Sequence, residues 1–148
     1  MKKRIATSIL TMLIGIITIS TFGQNSTQEK EKKVAEFKSS YVSGIKRCIE
    51  IANEISQTKN DTTIERLKLE GKKKQAQAFN AFLGLQNPDL NFSYDKIKAM
   101  KPFNPTFFGF GGVFSDDNNL KLPAKEYKEK VKSQLEKINS AKTAIDNF

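Results

Sequence analysis

Histidine and tryptophan are absent from this chain, and cysteine occurs once, at Cys48. Without histidine, the commonest general base and the commonest catalytic metal ligand are missing. A single thiol cannot close an internal disulfide, so the fold must be held by its core. Cys48 has no histidine to activate it as a nucleophile. Its position on an apolar stripe marks it as a small buried hydrophobe. The four prolines, Pro88, Pro102, Pro105 and Pro123, all fall after residue 87, so no proline breaks a helix before that point.

The motifs of nucleotide and calcium sites are also missing. Gly109, Gly111 and Gly112 form a glycine cluster, but Val113-Phe114 follows where a phosphate-binding loop needs Gly-Lys-Ser/Thr. Asp116-Asp117-Asn118-Asn119 is rich in oxygen. Counting from Asp116, however, the sixth and twelfth positions are Lys121 and Tyr127, where a calcium loop needs glycine and glutamate. Glu50 and Glu54 lie one turn apart beside Lys46 and Arg47, the pattern of an ion-pair face. The chain therefore reads as a binding protein and not an enzyme, with no cofactor and no metal expected.

What is present begins with charge. Lys2, Lys3 and Arg4 precede an uncharged run from Ile5 to Ser20, and the small residues Thr21 and Gly23 stand before Gln24. Basic start, apolar middle and small-residue end form the pattern of a secretory signal peptide over residues 1–23. The exported domain is then residues 24–148, periplasmic or secreted. The minor alternative is an N-terminal membrane anchor. The run is shorter than the roughly 20 residues of a spanning helix. The formal charge is +9, and three of those charges lie in the first four residues. What remains favours an acidic envelope or secreted protein, or an anionic membrane surface, over nucleic acid as a partner.

Beyond residue 24 the apolar residues keep helical time. Val34, Phe37, Tyr41, Gly44, Cys48, Ile51 and Ile55 step by three and four, which predicts a helix over about 29–57. A second follows over 62–86, with Thr62 as cap and Glu65 three residues on in capping-box spacing. Its stripe is Ile64, Leu67, Gly71, Gln75, Ala78, Phe82 and Leu85, flanked by Phe79 and Leu83. A short helix over 93–100 and a last helix over 123–147 complete the set. Tyr127, Val131, Leu135, Ile138, Ala141, Ile145 and Phe148 lie on one face of the last. Three long amphipathic helices and one short one can bury their stripes only against each other. The expected fold is all-α, a small helical bundle with a long Gly/Phe-rich connection before the last helix.

Two features are candidates for function. Phe103, Phe107, Phe108, Phe110 and Phe114 offer more apolar area than a solvated loop needs. They either plug one end of the core or contact a partner or membrane, and a mixture would leave the tip around Phe110 outside. Lys72, Lys73 and Lys74 make the second helix basic at its middle, with Lys68 beside them. Lys125, Lys128 and Lys132 share a face of the last helix. Asp61-Thr62-Thr63 also resembles a short O-glycosylation sequon of exported bacterial proteins, which would place a glycan on Thr62.

Overall fold

The computed structural model describes the backbone of residues 2–93, 95 and 109–146, and side chains from residue 26 onward apart from 143 and 144. Among the described residues every regular element is helical. α1 spans Lys2–Gln57, α2 Asp61–Leu85, α3 Asp117–Leu120 and α4 Ala124–Asp146. The expected bundle of three long helices is observed. The helix expected over 93–100 lies outside the described residues, Ser93 and Asp95 excepted.

α1 does not start near residue 29 as expected, because it runs unbroken from Lys2. Residues 24–29 are polar but contain no glycine or proline, and nothing in them stops a helix already under way. From residue 26 onward no helix is long and apolar enough to cross a membrane, and the apolar run of residues 5–20 precedes that stretch.

Three connecting residues, 58–60, fold α2 back against α1. Arg47 meets Glu70, the Cys48 thiol faces the Gly71 carbonyl, and Gly44 faces Ala78, so the two helices are antiparallel. The approach is close. A Cβ on Gly44 would stand 2.9 Å from the Ala78 Cβ and 3.0 Å from the Lys74 carbonyl oxygen. Glycine is required here for proximity, not for backbone freedom.

The cap of α2 corrects the sequence reading. Asn60, not Thr62, is the N-cap, and its Oδ1 accepts from the Thr63 N–H at 2.9 Å. Asparagine is at least as good a cap as threonine and comes two residues earlier. Glu65 turns away from any capping role and pairs with Lys68. α2 ends at Leu85, and Pro88–Leu90 forms a single 3₁₀ turn.

α4 packs on the other flank of α1. Lys128 reaches the Thr58 carbonyl, Asn53 and Asn139 pair through their amides, and Lys46 binds Asp146. α4 is therefore also antiparallel to α1, and α2 and α4 run in the same direction. Two parallel helices cannot be joined by a tight turn, which accounts for the length of the segment between them. The core holds Tyr41, Ile45, Cys48, Ile51, Ile55, Ile64, Leu67, Phe82, Leu85, Tyr127, Val131 and Ile138. All seven residues of the predicted α2 stripe are buried. Leu83, placed on its flank, is instead 47% exposed. Asp116 is the N-cap of the one-turn α3, which takes in Asp117, Asn118 and Asn119. α4 begins at Ala124, one residue after the proline.

The predicted burial of Cys48 is observed, with 0% exposure. Burial pushes its thiol up to about 12. At pH 8 the folded chain then holds on the order of a thousandfold less thiolate than the unfolded chain. A disulfide-exchange reagent is expected to label the native protein slowly and one thiol per chain immediately in denaturant. Fast native labelling would contradict the packing around Cys48.

Arg47 joins the two long helices at the surface. Its Nε donates to Glu70 at 2.8 Å, and its Nη1 to Glu54 at 2.8 Å and Glu50 at 3.0 Å. The hydrogen bond from Arg47 holds the Glu70 carboxyl below its usual value. A depressed carboxyl contributes stability that is present above its unfolded value, near 4.5, and lost as pH falls through the folded one. Arg47→Gln is expected to cost about 1 kcal/mol at pH 7 and to show a smaller loss between pH 6 and pH 3 than the wild type. Urea midpoints measured against pH test this, and parallel curves would remove Glu70 from the account.

Candidate interaction surface

The aromatic segment was the first candidate, and its described part faces inward. Phe110 is 8% exposed and Phe114 is 1% exposed. Of the alternatives, these two rings follow the plug, and the tip around Phe110 is not outside. Phe110, Gly111 and Gly112 all take positive φ, at 55°, 65° and 74°. For Phe110 that conformation costs on the order of 1–2 kcal/mol, and burying its ring offsets it. The left-handed bend wedges the segment between α2 and α4. The Phe114 ring lies over Gly71, in the space a Cβ would need, and Gly111 lies against the Gln134 side chain. Tyr127 Oη donates to the Val113 carbonyl at 2.6 Å, and burial raises the phenol well above its ordinary value. Phe110 and Phe114 are thus structural. Phe103, Phe107 and Phe108 lie outside the described residues.

The lysines divide by role. Lys68 is withdrawn from the basic patch altogether. It is 3% exposed, its Nζ donates to both Glu65 oxygens at 2.8 and 2.9 Å and to the Leu122 carbonyl at 2.9 Å, and it sits 4.7 Å from the centre of the Tyr127 ring. Its place on the 64–68–71–75 stripe and its Glu65 neighbour at i−3 were the available signals. Lys128 is half-buried and donates to the Thr58 carbonyl at 2.6 Å, tying α4 to the α1–α2 connection. Lys132 pairs with Glu129, and Lys74 donates to Gln77. Lys125 is exposed. The α4 lysines therefore do not gather into one free patch. On α2, Lys72 is exposed and pairs with Asp117 at 3.2 Å, and Lys73 is exposed beside it.

These two lysines flank a feature that the sequence reading missed. Leu69 is 61% exposed and Leu83 is 47% exposed, and among the described residues they are the exposed large hydrophobics. With Ala76 they recur every seven residues and form one stripe on α2, opposite its core face. Thr62 and Asn80 are exposed on the same side. Along the α1 side runs a shallow groove of ≈ 530 Å³, lined by Phe37 and Ser40 of α1 and by Lys73, Ala76, Gln77 and Asn80 of α2. Among the described residues no three histidine, cysteine, aspartate or glutamate side chains are grouped to hold a metal ion. The solvent face of α2 thus combines exposed apolar side chains with cations. No family model, curated protein or solved structure matches the chain.

Proposed function

We propose that this chain is a small exported protein of the cell envelope that acts by binding another macromolecule, in the manner of an inhibitor or immunity protein. The observation that carries this is the solvent face of α2. Two exposed leucines, a small residue midway and lysines at the rim make the apolar-centre, polar-rim composition of contact surfaces. The positive charge beyond residue 23 favours an acidic partner and a fast, salt-sensitive encounter. Residues 1–23 supply the support for export. Thr62 remains a candidate glycan acceptor. Its hydroxyl is not the helix cap, so a glycan there would not compete with the start of α2.

Capture from the envelope fraction tests the reading, using wild-type protein and the Leu69→Glu/Leu83→Glu variant. Both positions are exposed, so the variant should keep its helicity. A partner is expected that wild type retains and the variant loses. Equal capture by both would remove α2 as the surface. Anionic vesicles are run in parallel. Binding to them at low salt that disappears at high salt, with no protein captured, would assign the cations to a membrane surface.

A further inference from the structure

Lys68 of α2 and Tyr127 of α4 are both buried, and each ends on a carbonyl of the same segment. Lys68 Nζ donates to the Leu122 carbonyl at 2.9 Å, and Tyr127 Oη donates to the Val113 carbonyl at 2.6 Å. The ammonium lies 4.7 Å from the centre of the Tyr127 ring. The two ends of residues 113–122 are thus gathered on one stacked pair. What lies between them is a compact loop packed on itself. The Asp116 N–H and the Asn119 amide both donate to the Gly112 carbonyl, and the Leu120 and Lys121 N–H groups donate to the carbonyls of Asp116 and Asp117. Among the described residues, the backbone N–H bonds of this loop stay within residues 110–122. Side chains fasten it to the long helices: Lys68, Tyr127, and Phe114 over Gly71.

Two costs oppose the closed position of this loop. Phe110, at its entry, is held in the left-handed region at φ 55°. The other cost is the ammonium. Closing the loop takes Lys68 out of water, and a buried charge is expensive unless it is paired. Its three donors are all satisfied, two by the Glu65 oxygens and one by Leu122. The opposite charge comes from Glu65, which is half-exposed at the surface of α2. Lifting the loop takes Leu122 off Lys68 and lets water reach the ammonium, while α1 and α2 keep their own contacts. We infer that residues 113–122 are a strap locked by the Lys68–Glu65 ion pair. The strap is closed while Glu65 neutralises the buried ammonium and is released when that carboxylate is withdrawn. The lock is buried but its counter-charge faces solvent, so a cationic group that engages Glu65 works the strap from outside. The lock does not depend on what occupies the solvent face of α2.

Thiol labelling of Val113→Cys in the full chain reads the strap, because Val113 is buried in its closed position. Mapping the labelled peptide separates position 113 from native Cys48. Labelling at 113 is expected to change little at low urea concentrations, since a local opening exposes little surface. Adding Glu65→Gln is expected to accelerate it about tenfold or more, because Lys68 is then buried without its counter-charge. An ordinary exposed pair at this spacing would change the rate only about twofold. Adding Lys68→Met to the Glu65→Gln variant removes the charge and should return the rate to that of Val113→Cys alone. An acceleration of only about twofold by Glu65→Gln would overturn the lock. So would a failure of Lys68→Met to reverse the effect. Labelling at 113 that climbs with urea as steeply as global unfolding would show that the strap does not open by itself, and would overturn it as well.

Discussion

Replacing Phe114 with alanine is expected to lower the unfolding free energy by about 3–5 kcal/mol. The ring is 1% exposed and rests on Gly71, so the space it leaves is floored by the α2 backbone and cannot collapse. Domains of this size are commonly stable by only about 5–15 kcal/mol, so the variant loses a large part of the total. The loss should appear as a lower urea midpoint with most of the far-ultraviolet helical signal kept. α1 and α2 retain their mutual contacts, and the residues that lose support are those around the 110–114 bend. The same slot can be probed from its other wall. Gly71→Ala pushes a methyl into the ring and is expected to cost about 1–3 kcal/mol. The two changes together should cost less than their sum, because the added methyl enters the vacated space. Strict additivity would show that the two residues do not share it.

Gly44→Ala is expected to destabilise by about 1–3 kcal/mol, although the same change in an exposed helix stabilises by about 0.5–1 kcal/mol. The reversal comes from what the new methyl meets. The Lys74 carbonyl at 3.0 Å belongs to the α2 backbone and cannot yield without moving the helix. The Ala78 Cβ at 2.9 Å can be removed, so adding Ala78→Gly should recover part of the loss but not all of it. Thermal or urea unfolding of the single and double variants measures both numbers. A Gly44→Ala protein more stable than wild type would mean that α1 and α2 are not in contact at this level.

The pattern in the sequence carried the fold well because helical periodicity specifies which side of a helix is buried. Ile64, Leu67, Gly71, Gln75, Ala78, Phe82 and Leu85 were read as one stripe and are buried as one stripe. Periodicity does not say what lies on the far side. Lys68 falls on the same stripe, but reading it as buried required Glu65, the Leu122 carbonyl and the Tyr127 ring, two of them more than 50 residues away in the chain. The start of α2 was ambiguous for a local reason. Asn60, Asp61 and Thr62 are all competent caps, and only the pairing of Glu65 with Lys68 removes the advantage of the capping box. The surface was less legible than the core. Five phenylalanines drew attention to residues 103–114, yet Phe110 and Phe114 turn inward through a left-handed bend that glycine content alone does not orient. Leu69 and Leu83 drew none, because single exposed leucines are ordinary.

The parallel course of α2 and α4 has a consequence for how the chain reaches its native state. α1 and α2 are joined by three residues, and their contacts close over short loops. Docking α4 beside α2 requires the whole segment from residue 86 to residue 123 to be closed first, with its entropy lost before any contact repays it. The α1–α2 hairpin should therefore be the nucleus, and α4 should add late. Substitutions at the Gly44–Ala78 crossing should slow refolding, while those at Phe114 and Tyr127 should chiefly accelerate unfolding. The lifetime of the folded protein would then be governed by the bend at residues 110–114, which holds the last helix in place.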